Sequence, residues 1–193
     1  MGAVYHRRSL RLPEYDYAQA GYYFVTISTY RRTHLFGEVV DGNMMLSTAW
    51  EMVERLWCEI PNDFPNTALH EYIIMPNHMH GIIEITHSPV GAPLVGALKD
   101  SAISTIPGDI KSRATTRVAP TNKSLGDIIG AFKSVTTNAY IHMVKSALLP
   151  PFDLRIWQRN FYEHVIRDDR DHTRIAEYII NNPLTWEKDI FVT

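Results

Sequence analysis

The chain has 193 residues, 45% of them hydrophobic and 11% aromatic, and a formal net charge of −2. That is enough apolar content for one domain with a substantial core, and too much for wholesale disorder. No apolar run reaches the roughly 20 residues that cross a bilayer, and the first residues lack the apolar stretch of a secretory signal. Cys58 is the single cysteine and can form no internal disulfide, so a reducing cytoplasm is the expected compartment.

The charge is unevenly spread. Residues 1–35 carry five Arg against two acidic residues, residues 36–85 carry Arg55 against eight, and residues 86–150 carry seven basic residues against three. Such segregation permits a basic surface despite the acidic total, although solvated surfaces often segregate charge without any function.

Gly21 to Thr29, rich in aromatic and β-branched residues in alternation, reads as a strand, and Asp41-Gly42-Asn43 as a turn. Thr48 and Glu51 have capping-box spacing ahead of an apolar stripe through Trp57 and Ile60, predicting an amphipathic helix over 47–60 that ends at Pro61. Leu69 to Met75 and His80 to Ile85 read as antiparallel strands joined tightly through Pro76-Asn77. Residues 88–122, rich in Gly, Ala, Pro, Ser and Thr without a period, read as a flexible insert in one domain spanning 1–193. Ser124 and Asp127 open a second long helix, residues 156–164 read as extended, and Asp168 to Asp171 cap a last helix ending near Asn182, before Pro183. The order β, α, β, β, α, β, α predicts an α+β ferredoxin-like sandwich with an antiparallel sheet and a C-terminal helix.

Two constellations carry chemistry. His78 and His80 stand two apart at the start of an apolar strand, so both imidazoles face one side. Such a pair is a ready bidentate metal site, or else two edge histidines with no ligand. Tyr178 and Asn182 are four apart near the end of the last helix and share a face; an ordinary packed Tyr is the rival reading.

Four blocks in order match a known family: Met75-Pro76-Asn77-His78-Met79-His80, Phe132-Lys133-Ser134, Trp157 to His164, and Tyr178-Ile179-Ile180-Asn181-Asn182-Pro183. The chain resembles the single-tyrosine HUH transposases and, within them, the REP-associated tyrosine transposases. The resemblance implies cleavage and rejoining of single-stranded DNA, with Tyr178 as nucleophile and a 5′-phosphotyrosine intermediate. It implies His78, His80 and Asn182 as ligands of Mg²⁺ or Mn²⁺, with DNA hairpins as partner. Imidazole donors alone would favour Zn, Cu or Ni. Expected DNA contacts are Arg31, Arg32, Lys133, Gln158, Arg159 and His164, each of which an ordinary solvated or packed side chain also explains. Arg7, Arg8 and Arg11 extend that basic set, and Tyr140 and Tyr162 are rival nucleophiles. A homodimer is left open. Rival functions are a domesticated single-strand nickase, a non-catalytic single-stranded nucleic-acid binding module, and a metallohydrolase that uses water.

Overall fold

The computed structural model describes residues 15–41, 43–86 and 123–188. The expected insert at 88–122 and Arg7, Arg8 and Arg11 lie outside them. Four strands form the main sheet: β1 (Gly21–Ser28), β4 (Thr67–Met75), β5 (His78–Ile85) and β6 (Tyr162–Ile166). Their order is β4-β5-β1-β6, and every neighbouring pair is antiparallel. Helix α1 (Thr48–Cys58) links β1 to β4, and α3 (Leu125–Lys145) links β5 to β6. This is the expected ferredoxin-like topology, in which each crossover skips over one antiparallel strand.

Alternation along β1 divides the core. Tyr23, Val25 and Ile27 point to the side covered by α1 and α3, where Val53, Trp57, Ile128, Ile129 and Phe132 meet Met79, Ile83 and Ile85 of β5. Phe24 points the other way and packs with Ile82, Ile166, Ile175 and Ile179 beneath α4 (Asp169–Ile180). Both faces of the central strands are therefore covered, which explains why β1 and β5 are buried almost throughout.

The helix starts follow local chemistry. Ser124 and Asp127 make a reciprocal capping box on α3. Asp168 caps α4 by accepting from the Asp171 amide. The cap of α1 is Ser47, one residue before the expected Thr48, because the Ser47 hydroxyl accepts from the Trp50 amide. Pro61 does not simply end the helical region: a short helix α2 (Ile60–Asp63) follows with Pro61 in its first turn, where a missing N–H costs nothing. Sequence reading also missed a hairpin on either side of the Asp41 turn, β2 (Gly37–Val40) with β3 (Asn43–Leu46). Gly37 enters it at φ +134, and a Cβ there would collide with the Met45 carbonyl. At the C-terminus α4 stops at Ile180 and a 3-10 turn, Asn182–Lys188, runs on through Pro183. Tyr178 and Asn182 therefore do not lie on one continuous helix face as expected. Pro183, which lacks an amide donor, sits early in the new turn instead of closing the old one.

Gly81 shows how tightly the helical side is packed. A Cβ at this position would lie 2.5 Å from Cζ2 of the Trp57 ring, which rests on the β5 backbone. Gly81→Ala should lower stability by about 1–3 kcal/mol through overpacking, read as a lower denaturation midpoint with an unchanged slope.

Candidate functional site

Strand register builds the site. His78 lies opposite Ser28 and His80 opposite Thr26, so both histidines project toward the α4 side of the sheet. Each is locked from behind. His78 Nδ1 donates to Asn77 Oδ1 at 2.8 Å, which leaves Nε2 with its lone pair. His80 Nδ1 lies 2.8 Å from the Thr26 hydroxyl, a group able to donate or accept. The two Nε2 atoms then converge to 3.0 Å.

Burial, reinforced by the charges of His80 and Arg32, holds His78 down to about 2. Burial holds His80 down to about 3. Both rings are therefore neutral at neutral pH, the form that ligates a metal. Two neutral imidazole nitrogens aimed at one point, each oriented by an outer hydrogen bond, fit a divalent cation. The same contacts also make a metal-free chain in which Thr26 donates to His80, His80 to His78 and His78 to Asn77.

Tyr178 arrives from the last turn of α4. Its hydroxyl lies 3.3 Å from His80 Nε2, and its ring packs edge-on against Phe24 with centroids 6.2 Å apart. At 42% exposure it remains open to solvent. Asn182 is completely buried at the head of the following 3-10 turn. Trp186 of that turn stacks on His78 with centroids 5.9 Å apart and planes 19° off parallel. The structure thus joins His78, His80 and Tyr178 directly, and places Asn182 in the turn that covers His78.

The expected DNA contacts divide into groups. Arg31, Gln158 and Arg159 line one open cleft of about 440 Å³, together with Tyr30, Arg155 and Asn160. Arg31 and Arg155 each lie over the Tyr30 ring, at 5.1 and 4.9 Å. Arg31 also pairs with Asp153 at 2.7 Å in solvent, a contact worth little in itself. The cleft adjoins the histidines because Gln158 donates its amide to the Ser28 carbonyl, and Thr29 bridges to Trp157. Arg31 and Arg32 both have positive φ, 54° and 55°, so the turn that aims them is strained.

Lys133 and His164 have other engagements. Lys133 Nζ donates to the carbonyls of Gln158 and Asn160, each at 3.0 Å. It thereby ties α3 to the cleft wall. His164 Nε2 contacts Asp171 Oδ2 at 2.8 Å, joining β6 to the first turn of α4 rather than to the histidine pair. Of the rival tyrosines, Tyr140 is buried against Phe152 in the core on the α1/α3 side, whereas Tyr162, exposed on β6 opposite Thr26, packs its ring against Phe24 on the histidine side. Sequence reasoning missed Asn77, Thr26, Trp186 and Arg155. Thr26 was detectable as the polar position on a face it shares with Phe24; Trp186 carried no local signal.

No family model matches the chain. An uncharacterized protein of Haemophilus influenzae is 36% identical over 186 residues, covering 96% of this chain and 93% of that protein. The chain belongs to one family with it. Among solved structures, a REP-associated tyrosine transposase bound to a REP hairpin superposes with a TM-score of 0.54 at 19% identity. That match covers 91% of this chain and 73% of the other, and the two share a fold. No helix among the described residues is long and apolar enough to cross a membrane.

Burial pushes the Lys133 ammonium down to about 8, against about 10.4 for a free lysine. The unfolded chain therefore binds more protons between these values, and the Lys133 contribution to stability rises with pH across that window and is flat below it. Denaturant unfolding at pH 7 and pH 9.5 should show wild type gaining stability relative to Lys133→Met. Amide exchange at 158–160 should be faster in the variant at both pH values.

Proposed function

We propose that this protein is a metal-dependent single-stranded DNA transposase that cleaves and rejoins strands through a 5′-phosphotyrosine on Tyr178. The observation that carries the reading is the meeting of a solvent-open phenol with two converging imidazoles, the Tyr178 hydroxyl lying 3.3 Å from His80 Nε2. Neither a packed core tyrosine nor an edge histidine pair accounts for that meeting.

His78, His80 and Asn182 would hold Mg²⁺ or Mn²⁺. Bound there, the cation would polarise the scissile phosphate and lower the cost of charge developing on it. Asn77 and Thr26 orient the two rings so that no rotamer search is needed at binding. His80, held down to about 3, is a poor resting place for a proton. With its Nε2 lone pair on the cation, His80 would take no proton from the Tyr178 hydroxyl, and the phenol proton leaves to solvent. Tyr178 Oη forms a bond to phosphorus, the bond from phosphorus to the 3′-oxygen breaks, and that oxygen takes up a proton. The phosphodiester is conserved as a phosphotyrosine, so a second 3′-hydroxyl can reverse the step without an outside energy source.

Arg31, Arg155 and Arg159 are placed to follow a phosphate backbone, while Gln158 and Tyr30 offer a hydrogen bond and a ring face. Arg32, beside Arg31 in the same turn, adds positive charge on the same side of the cleft. DNA hairpins are the proposed substrate by analogy with the hairpin-bound transposase that shares this fold.

Incubating wild type with labelled single-stranded hairpin DNA and Mn²⁺ or Mg²⁺ should give a covalent adduct on a denaturing gel. Tyr178→Phe keeps the ring packing, so stability and strand binding should persist while the adduct disappears. Excess chelator should also abolish it. An adduct formed by Tyr178→Phe would move the nucleophile elsewhere, and cleavage without any adduct would make water the nucleophile.

A further inference from the structure

A second cluster of ligating side chains lies at the opposite end of the same sheet face. Strand β4 changes register between Leu69 and Tyr72, and this bulge re-aims its extra residues. His70 and Glu71 of the bulge meet His172 from the first turn of α4, with one ligand atom from each lying within 4.8 Å of the others. His70 Nε2 contacts Glu84 Oε2 at 3.0 Å. That contact holds the Nε2 proton toward a carboxylate and leaves Nδ1 with its lone pair, the arrangement that metal-ligating histidines show. Glu71 Oε2 is buried and has no hydrogen-bond partner among the described residues. A buried carboxylate oxygen left unsatisfied is costly, and a cation would satisfy it. The Tyr22 ring packs edge-on against both imidazoles, at 5.1 and 5.3 Å, and limits their rotation. An open cleft of about 340 Å³, lined by Tyr22, His70, Asp168, Asp169 and His172 among others, gives an ion a way in.

We propose that His70, Glu71 and His172 form a second metal site, for a first-row transition ion of the Zn²⁺ type, which clamps α4 to the β4 bulge. Two imidazoles and one carboxylate are a donor set that such an ion takes. The site is distinct from the His78–His80 pair: Glu84 and His80 lie four residues apart on β5, roughly 14 Å along a strand. A cation here faces the unfavourable end of the α4 dipole, but Asp168 and Asp169 offset it. His172 and Tyr178 share α4, six residues or roughly 9 Å apart along its axis. Fixing the first turn therefore limits the directions in which the last turn, and Tyr178, can move.

The test uses the full chain carrying H78A and H80A, stripped of metal, so that the first pair cannot contribute. Calorimetric titration with Zn²⁺ should show one equivalent bound, and Co²⁺ should give a ligand-field absorption band. At a hundredfold excess over Kd, Zn²⁺ should raise the thermal midpoint by roughly 5–10 °C. Adding His172→Gln should remove the equivalent, the band and the midpoint shift, while Glu71→Gln should weaken binding by on the order of 10-fold or more. Circular dichroism of the metal-free variants establishes that each is folded. Absence of a bound equivalent in the H78A/H80A chain, or its survival in both His172→Gln and His70→Gln, would overturn the proposal. The adduct assay on Tyr178 reads a different event, so either idea can fail alone.

Discussion

The register between β1 and β5 is the constraint on which the site depends. Thr26 opposite His80 and Ser28 opposite His78 put both imidazoles on the α4 side. A slip of one residue would turn them into the layer filled by Trp57 and Phe132, and turn Met79 and Ile83 out. The apolar side thus enforces the polar one: the cost of exposing Met79, Ile83 and Ile85 holds the histidines in place. Gly81 adds a steric lock, because only the residue without a side chain fits beneath the Trp57 ring. Packing on one face of the sheet determines chemistry on the other.

From that anchor the rest of the site is assembled by short-range ties. Thr29 donates its amide to the Asn77 carbonyl, and its side chain donates to the same oxygen. This fixes the connection between β4 and β5 just where His78 begins. The basic cleft is hung from the same end of β1 through Tyr30 and Gln158, and Lys133 braces its far wall. The basic side chains of the cleft and the histidine pair are therefore parts of one corner of the fold, tied together by backbone hydrogen bonds.

Much of this was legible in the sequence because it rests on periodicity. Alternation in β1 and β5, the apolar stripes of α1 and α3, and the Ser124 box each follow a local rule, and the split β-α-β-β-α-β order follows from them. Local rules also put His78 and His80 on one face. They failed where a pattern is too short or ambiguous, or where a long-range contact decides. The β2–β3 hairpin has strands of four residues, too short for a pattern to rise above chance. The end of α4 was misplaced because Pro183 suits the start of a 3-10 turn as well as the stop of a helix. Lys133 was read as a phosphate contact from its helix flank and the Phe132-Lys133-Ser134 block; its bonds to carbonyls 25 and 27 residues away have no trace in its neighbours. Trp186 reaches His78 only through tertiary packing.

The two faces of the sheet are held very unequally. Among the described residues the α1/α3 side buries a continuous core running from Tyr23 to Trp157, whereas α4 rests on Phe24, Ile82 and Ile166 through Ile175 and Ile179. Opening free energy scales with the apolar area that must be rehydrated, so less apolar burial opposes the release of α4 than opposes unfolding of the sandwich. The molecule is thermodynamically two-tiered: a stable tier keeps the two imidazoles aligned, and a labile tier carries the phenol.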